Sequence, residues 1–108
     1  MTEPVLFFAD LAAEAPPVER GIHSQTLYDG PDLRLILFAF APGEELSEHT
    51  AARPAVVHVL DGEGEASVGG EPHALAPGAW FRMPARMPHS IMARTPLRMA
   101  LYLLPEGA

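Results

Sequence analysis

The chain contains no cysteine and no lysine. The first absence excludes disulfides, thiolate-bound zinc and thiol nucleophiles together, so the fold must stand on packing alone. The second leaves seven arginines against fourteen acidic residues, a formal net charge of −7. An acidic surface repels phosphate backbones, which argues against a nucleic-acid partner. Missing lysine beside abundant Ala, Pro, Gly and Arg points to a bacterial source. The N-terminus lacks a basic region followed by an apolar run, because the stretch breaks at Pro4 and again at Asp10. No segment approaches the length needed to cross a bilayer, so the expectation is a cytoplasmic protein with no membrane partner.

What is present fits one domain: 108 residues, 48% of them hydrophobic, enough to bury a core. Twelve prolines and nine glycines are spread along the chain and cut it into short runs. They leave no room for a long helix after the first twenty or so residues. Asp10 to Ala15 predicts one helical turn with Asp10 as N-cap.

Strands and turns follow. Ile22–Tyr28, Leu33–Phe40, Ala55–Leu60, Glu65–Val68, His73–Leu75, Ala79–Met83, Ser90–Ala93 and Leu97–Leu104 alternate with turns such as Asp29-Gly30-Pro31, Asp61-Gly62 and Gly69-Gly70. About eight strands at regular spacing predict an all-β sandwich or barrel. The expected organisation is an N-terminal segment with the first strand over 1–31 and the barrel over 32–108, one domain in all.

Leu33–Phe40 and Leu97–Leu104 are apolar on both alternating faces apart from Arg34, Arg98 and the Tyr102 hydroxyl. A strand with core on one side and water on the other should alternate. Both faces must therefore be covered. A second subunit is the favoured cover, which predicts a homodimer; the alternative is the N-terminal segment folding back within one chain.

Two segments resemble the paired motifs of the cupin superfamily. Gly43, His49 and Gly62 fall at the spacing of the first motif, and VVHVLDGEG is similar to its hairpin. Gly78, Pro84 and His89 fall at the spacing of the second, with Arg86 at the usual glycine and Ala93 at the usual asparagine. The resemblance covers about Leu33 to Leu104. It implies a double-stranded β-helix, the jelly-roll barrel of a small single-domain cupin.

In that family two histidines and a glutamate of the first motif join the histidine of the second around one divalent ion. Carried over, His49 and His89 are present, but Ala51 and Ala55 occupy the other two places. The resemblance thus implies a divalent metal (Zn, Ni, Fe or Mn) at low occupancy, with His58, Glu48 or Glu44 as substitute ligands. His58 lies three residues beyond position 55, and odd spacing turns it to the opposite face unless a bulge, with Arg53-Pro54 as a place for one, intervenes. His23 and His73 read as surface residues.

Trp80, Met83, Arg86, Met87 and Met92 cluster in sequence around His89. Methionine adapts to irregular gaps, so core filling accounts for most of them; the functional reading is a deformable wall for a small organic ligand. Arg86 at a glycine position reads first as a solvated arginine; the functional reading hangs it over the pocket mouth, where it could meet a carboxylate or phosphate.

Three functions compete. The first is a small-molecule-binding cupin, with a weakly held metal at most. The second is a metal-dependent dioxygenase, isomerase or decarboxylase using His49, His89 and a third ligand such as His58. The third is metal-free acid–base chemistry by a histidine and a tyrosine, Tyr28 or Tyr102. One barrel hosts many chemistries, so the site must decide among them.

Overall fold

A computed structural model describes residues 4–107. It contains a short 3-10 turn, Leu11–Glu14, followed by nine strands: β1 (Ile22–Asp29), β2 (Arg34–Phe40), β3 (Glu45–His49), β4 (Ala55–Asp61), β5 (Gly64–Val68), β6 (Glu71–Leu75), β7 (Trp80–Met83), β8 (His89–Ala93) and β9 (Leu97–Leu103). All pairings are antiparallel. They build a five-stranded sheet in the order β1-β2-β9-β4-β7 and a four-stranded sheet in the order β3-β8-β5-β6. Non-sequential neighbours in both sheets are the mark of a jelly roll. Among the described residues no helix is long and apolar enough to cross a membrane.

Each expected strand is present within a residue or two, and one more exists. The additional strand is β3, Glu-Leu-Ser-Glu-His, four of whose five residues are polar. It carries no alternation to read and is held by pairing with β8. The predicted helical turn is the 3-10 turn, but Asp10 makes no side-chain cap. β1 is an edge strand of the larger sheet, paired with β2 from Ile22↔Phe40 to Asp29↔Arg34. A boundary near residue 31 therefore falls in a hairpin turn inside one unit.

The core lies between the sheets. Phe40, Val57, Val59, Leu97 and Met99 from the larger sheet meet Ala66, Leu75, Ile91 and Ala93 from the smaller. Along β4 the burial alternates, with Ala55, Val57 and Val59 inward and Val56, His58 and Leu60 on the other face. That is the period of two expected of a pleated strand.

The larger sheet also has a packed outer face. Leu35, Leu37 and Ala39 of β2 and Ala100 of β9 bury there with Ala15, against Phe8, Leu11, Val18 and Tyr102. Arg98 fastens this cover: it donates one hydrogen bond to the Ala12 carbonyl at 2.9 Å and a second to Asp61 at 2.8 Å. The apolar outer face from which a second subunit was expected is thus covered by the chain's own N-terminal segment. Arg98 at the edge of an apolar face is explained by the same contact, since its guanidinium supplies the donors that pin the segment.

The hairpin between β4 and β5 depends on a glycine. Gly62 has φ +91°, and a Cβ there would overlap the Pro96 carbonyl oxygen. Any side chain meets both the left-handed backbone and fixed main chain. Gly62→Ala should lower the urea unfolding free energy by more than about 1 kcal/mol; an unchanged midpoint would show that the β8–β9 loop yields. Deleting residues 1–18 should expose the face around Leu37 and Ala100, read as new dye binding and a higher weight-average mass in sedimentation. A deletion variant that behaves as the full chain does would disprove the cover.

Candidate functional site

His49 and His89 come together. They are directly opposed residues of β3 and β8, with ring centroids 4.2 Å apart and planes tilted by 58°. His89 shares its side of β8 with Ile91 and Ala93 and faces the interior, 7% exposed. His49 stands at the rim, exposed to solvent.

A bulge produces this pairing. Leu46 opposes Ile91, and His49 opposes His89, so three steps on β3 match two on β8. Leu46 packs against the interior core. In a regular strand a residue three positions later would point outward; the extra residue turns His49 back to the side of Leu46. The bulge thus lies in β3 and serves His49; the sequence allows one at Arg53-Pro54, where it would have turned His58 inward, and His58 stays on the outer face.

Both rings are oriented in the same way. His49 Nδ1 lies 2.8 Å from the Ser47 carbonyl, and His89 Nδ1 lies 2.8 Å from the Met87 carbonyl. A carbonyl only accepts, so each Nδ1 carries the proton and donates. In the neutral rings both Nε2 atoms then keep their lone pairs. Burial lowers the His89 pKa below the usual 6.5, with a smaller push in the same direction from the charge of His49; the Met87 carbonyl works against both. Neutral His89 is therefore the form the fold favours.

The remaining sequence candidates divide. His58 occupies the opposite face of β4 from Ala55 and Val57, opposed by Ala100 and Trp80. It does not join the pair, as its odd spacing predicts. Ala55 points into the core, 2% exposed, so the glutamate's place is filled by a methyl group packed among others. Among the described residues no three His, Cys, Asp or Glu side chains come together in a way that could hold a metal. Glu44, Glu48 and His58 thus form no such group with the pair.

Of the expected pocket wall, Met83 and Met87 pack on the interior core. Trp80 is instead 60% exposed, because β7 alternates and it is Phe81 that turns inward. Met92 lies on the outer side of β8, opposite Glu45 and Glu65. Arg86 sits in the loop before β8, also exposed. Core side chains such as Val57, Val59, Ala66 and Ile91 are 0–2% exposed, so the interior beside the pair is filled and access is from the rim. Both tyrosines belong to the outer face of the larger sheet, and Tyr28 donates to Asp32 at 3.1 Å. A tyrosine–histidine proton-transfer pair is therefore not assembled. His23 and His73 are exposed, as expected.

What the sequence did not reveal are the two carbonyls that orient the imidazoles, and the bulge. Neither has a residue-type signal, since both are backbone features.

Comparison with known proteins follows the same lines. The family model described as "Cupin domain" matches residues 36–104. Among solved structures, a conserved protein of unknown function from Streptococcus pyogenes is similar over 98% of this chain and 93% of its own, with 27% identity and a TM-score of 0.84. A cupin superfamily protein from Desulfitobacterium hafniense is similar over 94% of each chain, with 24% identity and a TM-score of 0.83. A cupin 2 conserved barrel domain protein from Leptotrichia buccalis shares 36% identity over 86% of this chain and 45% of its own, with a TM-score of 0.79. No curated protein matches the chain. With the jelly roll, the spaced glycines and the two motif histidines in place, and the family match spanning most of the barrel, this chain belongs to the cupin superfamily.

Proposed function

We propose that this protein is a small-molecule-binding cupin in which the His49–His89 pair meets a small organic ligand at the rim of the barrel. The observation that carries this reading is the shared anchoring of two adjacent rings, each tied by Nδ1 to a carbonyl two residues earlier. Polar groups aimed at one place beside an apolar core are the usual make-up of a binding site. Two neutral imidazoles offer two acceptor nitrogens, suited to hydroxyl or amide donors on a ligand.

The residues present do not fit a metal held by protein donors alone. Catalytic zinc sites use three protein ligands, and here two imidazoles stand without a third donor among the described residues. Any divalent ion would need oxygen atoms of a bound ligand to complete its shell, so low occupancy is the expectation for the isolated protein. Imidazole alone does not choose among Zn, Ni, Fe and Mn. The metal-dependent enzyme built on His58 lacks support, because that ring lies on the other side of β4.

The homodimer is retained as a proposal on different ground. The two-faced strands are satisfied within the chain, but Val5, Leu6 and Phe7 remain exposed, Val5 at 90%. A second copy would cover them; a single sedimenting species at monomer mass across a wide concentration range removes the idea.

Protein prepared without an affinity tag should contain less than about a tenth of a divalent ion per chain by elemental analysis, since a complete site stays loaded through purification. A stoichiometric metal would refute the reading. In a screen of small acids and sugars by NMR, a genuine ligand should shift the His49 and His89 ring signals. His49→Ala should then weaken it at least tenfold, about 1.4 kcal/mol. Binding that bypasses both rings would place the site elsewhere.

The pH dependence has a definite sign. His89 has its folded pKa lowered, so the unfolded chain binds more protons in the window below 6.5. This contribution to stability is complete above about pH 6.5 and is lost as pH falls through the folded value. Wild type should lose more stability than His89→Asn between pH 7.5 and 5.5, and the His89 ring should titrate below the usual histidine range. Equal losses would show that burial does not disfavour the charged ring.

A further inference from the structure

We propose a second, anion-binding site at the cleft lined by Arg82 and Arg86, which takes a small molecule bearing a carboxylate or a phosphate. The site is distinct from the imidazole pair and does not depend on the reading given to it.

The first observation is backbone strain. Arg86 has φ +67° and is the one non-glycine residue among those described with a positive φ. Its turn closes with the Met87 amide donating to the Pro84 carbonyl at 3.4 Å. Arg86 is the third residue of that turn, the position where a positive φ makes glycine the default. The Arg86 amide also donates to the Ala51 carbonyl at 2.7 Å, which pins the strained residue to the loop after β3. A side chain kept where glycine would be free of strain marks a place where strain is exchanged for something else.

The second observation is where that side chain lies. Arg82 and Arg86 line one cleft of about 390 Å³, a size suited to a small ligand. Pro54 and Pro84 form rigid parts of its wall. Among the described residues Glu106 also lines it, so the cleft brings together arginine side chains and a carboxylate, with Arg86 on its exposed side. Arg53, next to Pro54, donates to the Leu104 carbonyl at 2.7 Å and the Leu103 carbonyl at 3.3 Å. That holds the C-terminal tail, with Glu106, beside the cleft. Three of the seven arginines in the chain thus gather at this end.

The third observation is charge. A molecule of net charge −7 repels anions at long range. Affinity for an anion must therefore come from a local arrangement. Guanidinium groups supply that arrangement, because their paired N–H donors match two oxygens of a carboxylate or phosphate.

Inorganic phosphate and succinate serve as the two probes, each titrated into the isotope-labelled full chain and followed by NMR. Saturable shifts confined to residues 82–87 and the C-terminal tail are expected with at least one probe, and the tighter of the two assigns the oxyanion class. Arg86→Gly relieves the strain, so it should fold, melt a few degrees higher than wild type and bind the tighter probe at least tenfold more weakly. Arg86→Lys keeps one charge without the paired donors and should weaken binding with no gain in melting temperature. Arg94→Ala, a control on the β8–β9 loop, should bind as wild type does. The proposal is overturned if neither probe gives saturable shifts, if Arg86→Gly binds within twofold of wild type, or if Arg94→Ala loses as much as Arg86→Gly.

Discussion

The pairing of β2 with β9 is the constraint on which the molecule rests. The two strands run antiparallel in unbroken register from Arg34↔Leu103 to Phe40↔Leu97, in the interior of the larger sheet. Because side chains alternate, Phe40, Leu97 and Met99 go to the inner face, and Leu35, Leu37 and Ala100 to the outer. A slip by one residue would exchange the two sets. The inner set closes on the smaller sheet and makes the barrel. The outer set obliges the first part of the chain to return, since leaving Leu37 in water would forgo about 1.5–3 kcal/mol of burial for that side chain alone. Arg98 gives this return a fixed end: a cation on the outer edge of β9 with Ala12 and Asp61 as partners.

The rim pair is a consequence of the same geometry at the barrel's far sheet. β8 alternates without interruption, so His89 follows the inward side of Ala93 and Ile91. β3 would carry His49 outward but for the added residue between Leu46 and His49. The fold accepts an interrupted ladder to put a second imidazole beside the first. Two rings that close are unfavourable when both are charged, and burial of His89 already disfavours its charged form. The stable arrangement at neutral pH keeps His89 neutral, and the Met87 carbonyl fixes which nitrogen bears its proton. Orientation and tautomer are thus set by the backbone, and the neutral form by burial.

The sequence was legible where it alternates or turns. β2, β4 and β9 stand out because β-branched and large apolar residues sit between Gly and Pro turns, and the spacing of Gly43, His49, Gly62, Gly78, Pro84 and His89 carried the family. β3 was missed because Glu45, Ser47 and Glu48 face solvent and leave Leu46 as its lone apolar residue. Trp80 was misplaced for the opposite reason: size suggested a pocket wall, while alternation assigns the inward side to Phe81 and Met83. Met92 fails by the same rule, being one residue out of phase with Ile91. His58, carried as a third ligand, lies where its parity puts it and away from the pair, and in a sheet parity is the stronger guide. The cover of the outer face was a question between two occupants that hydrophobicity cannot separate. What separates them is a contact between Arg98 and a backbone carbonyl 86 positions away, and a backbone carbonyl has no side-chain signature.

The motif positions that have changed share a direction. Ala51 and Ala55 stand where the family resemblance places donors, and Arg86 where it places glycine. Alanine at 55 joins the inner core, so packing fills the place where the resemblance puts a donor. Arginine at 86 acts in the other sense, since it adds a cation to the outside at the expense of a relaxed turn. Both changes move polar function away from the interior and toward the rim and the neighbouring loops. Packed density inside and charged groups at the edge are compatible, because the pleat separates them: neither Arg86 nor the rim ring of His49 contributes a side chain to the interior core. The interior is closed by apolar side chains, which leaves the proposed recognition to the mouth.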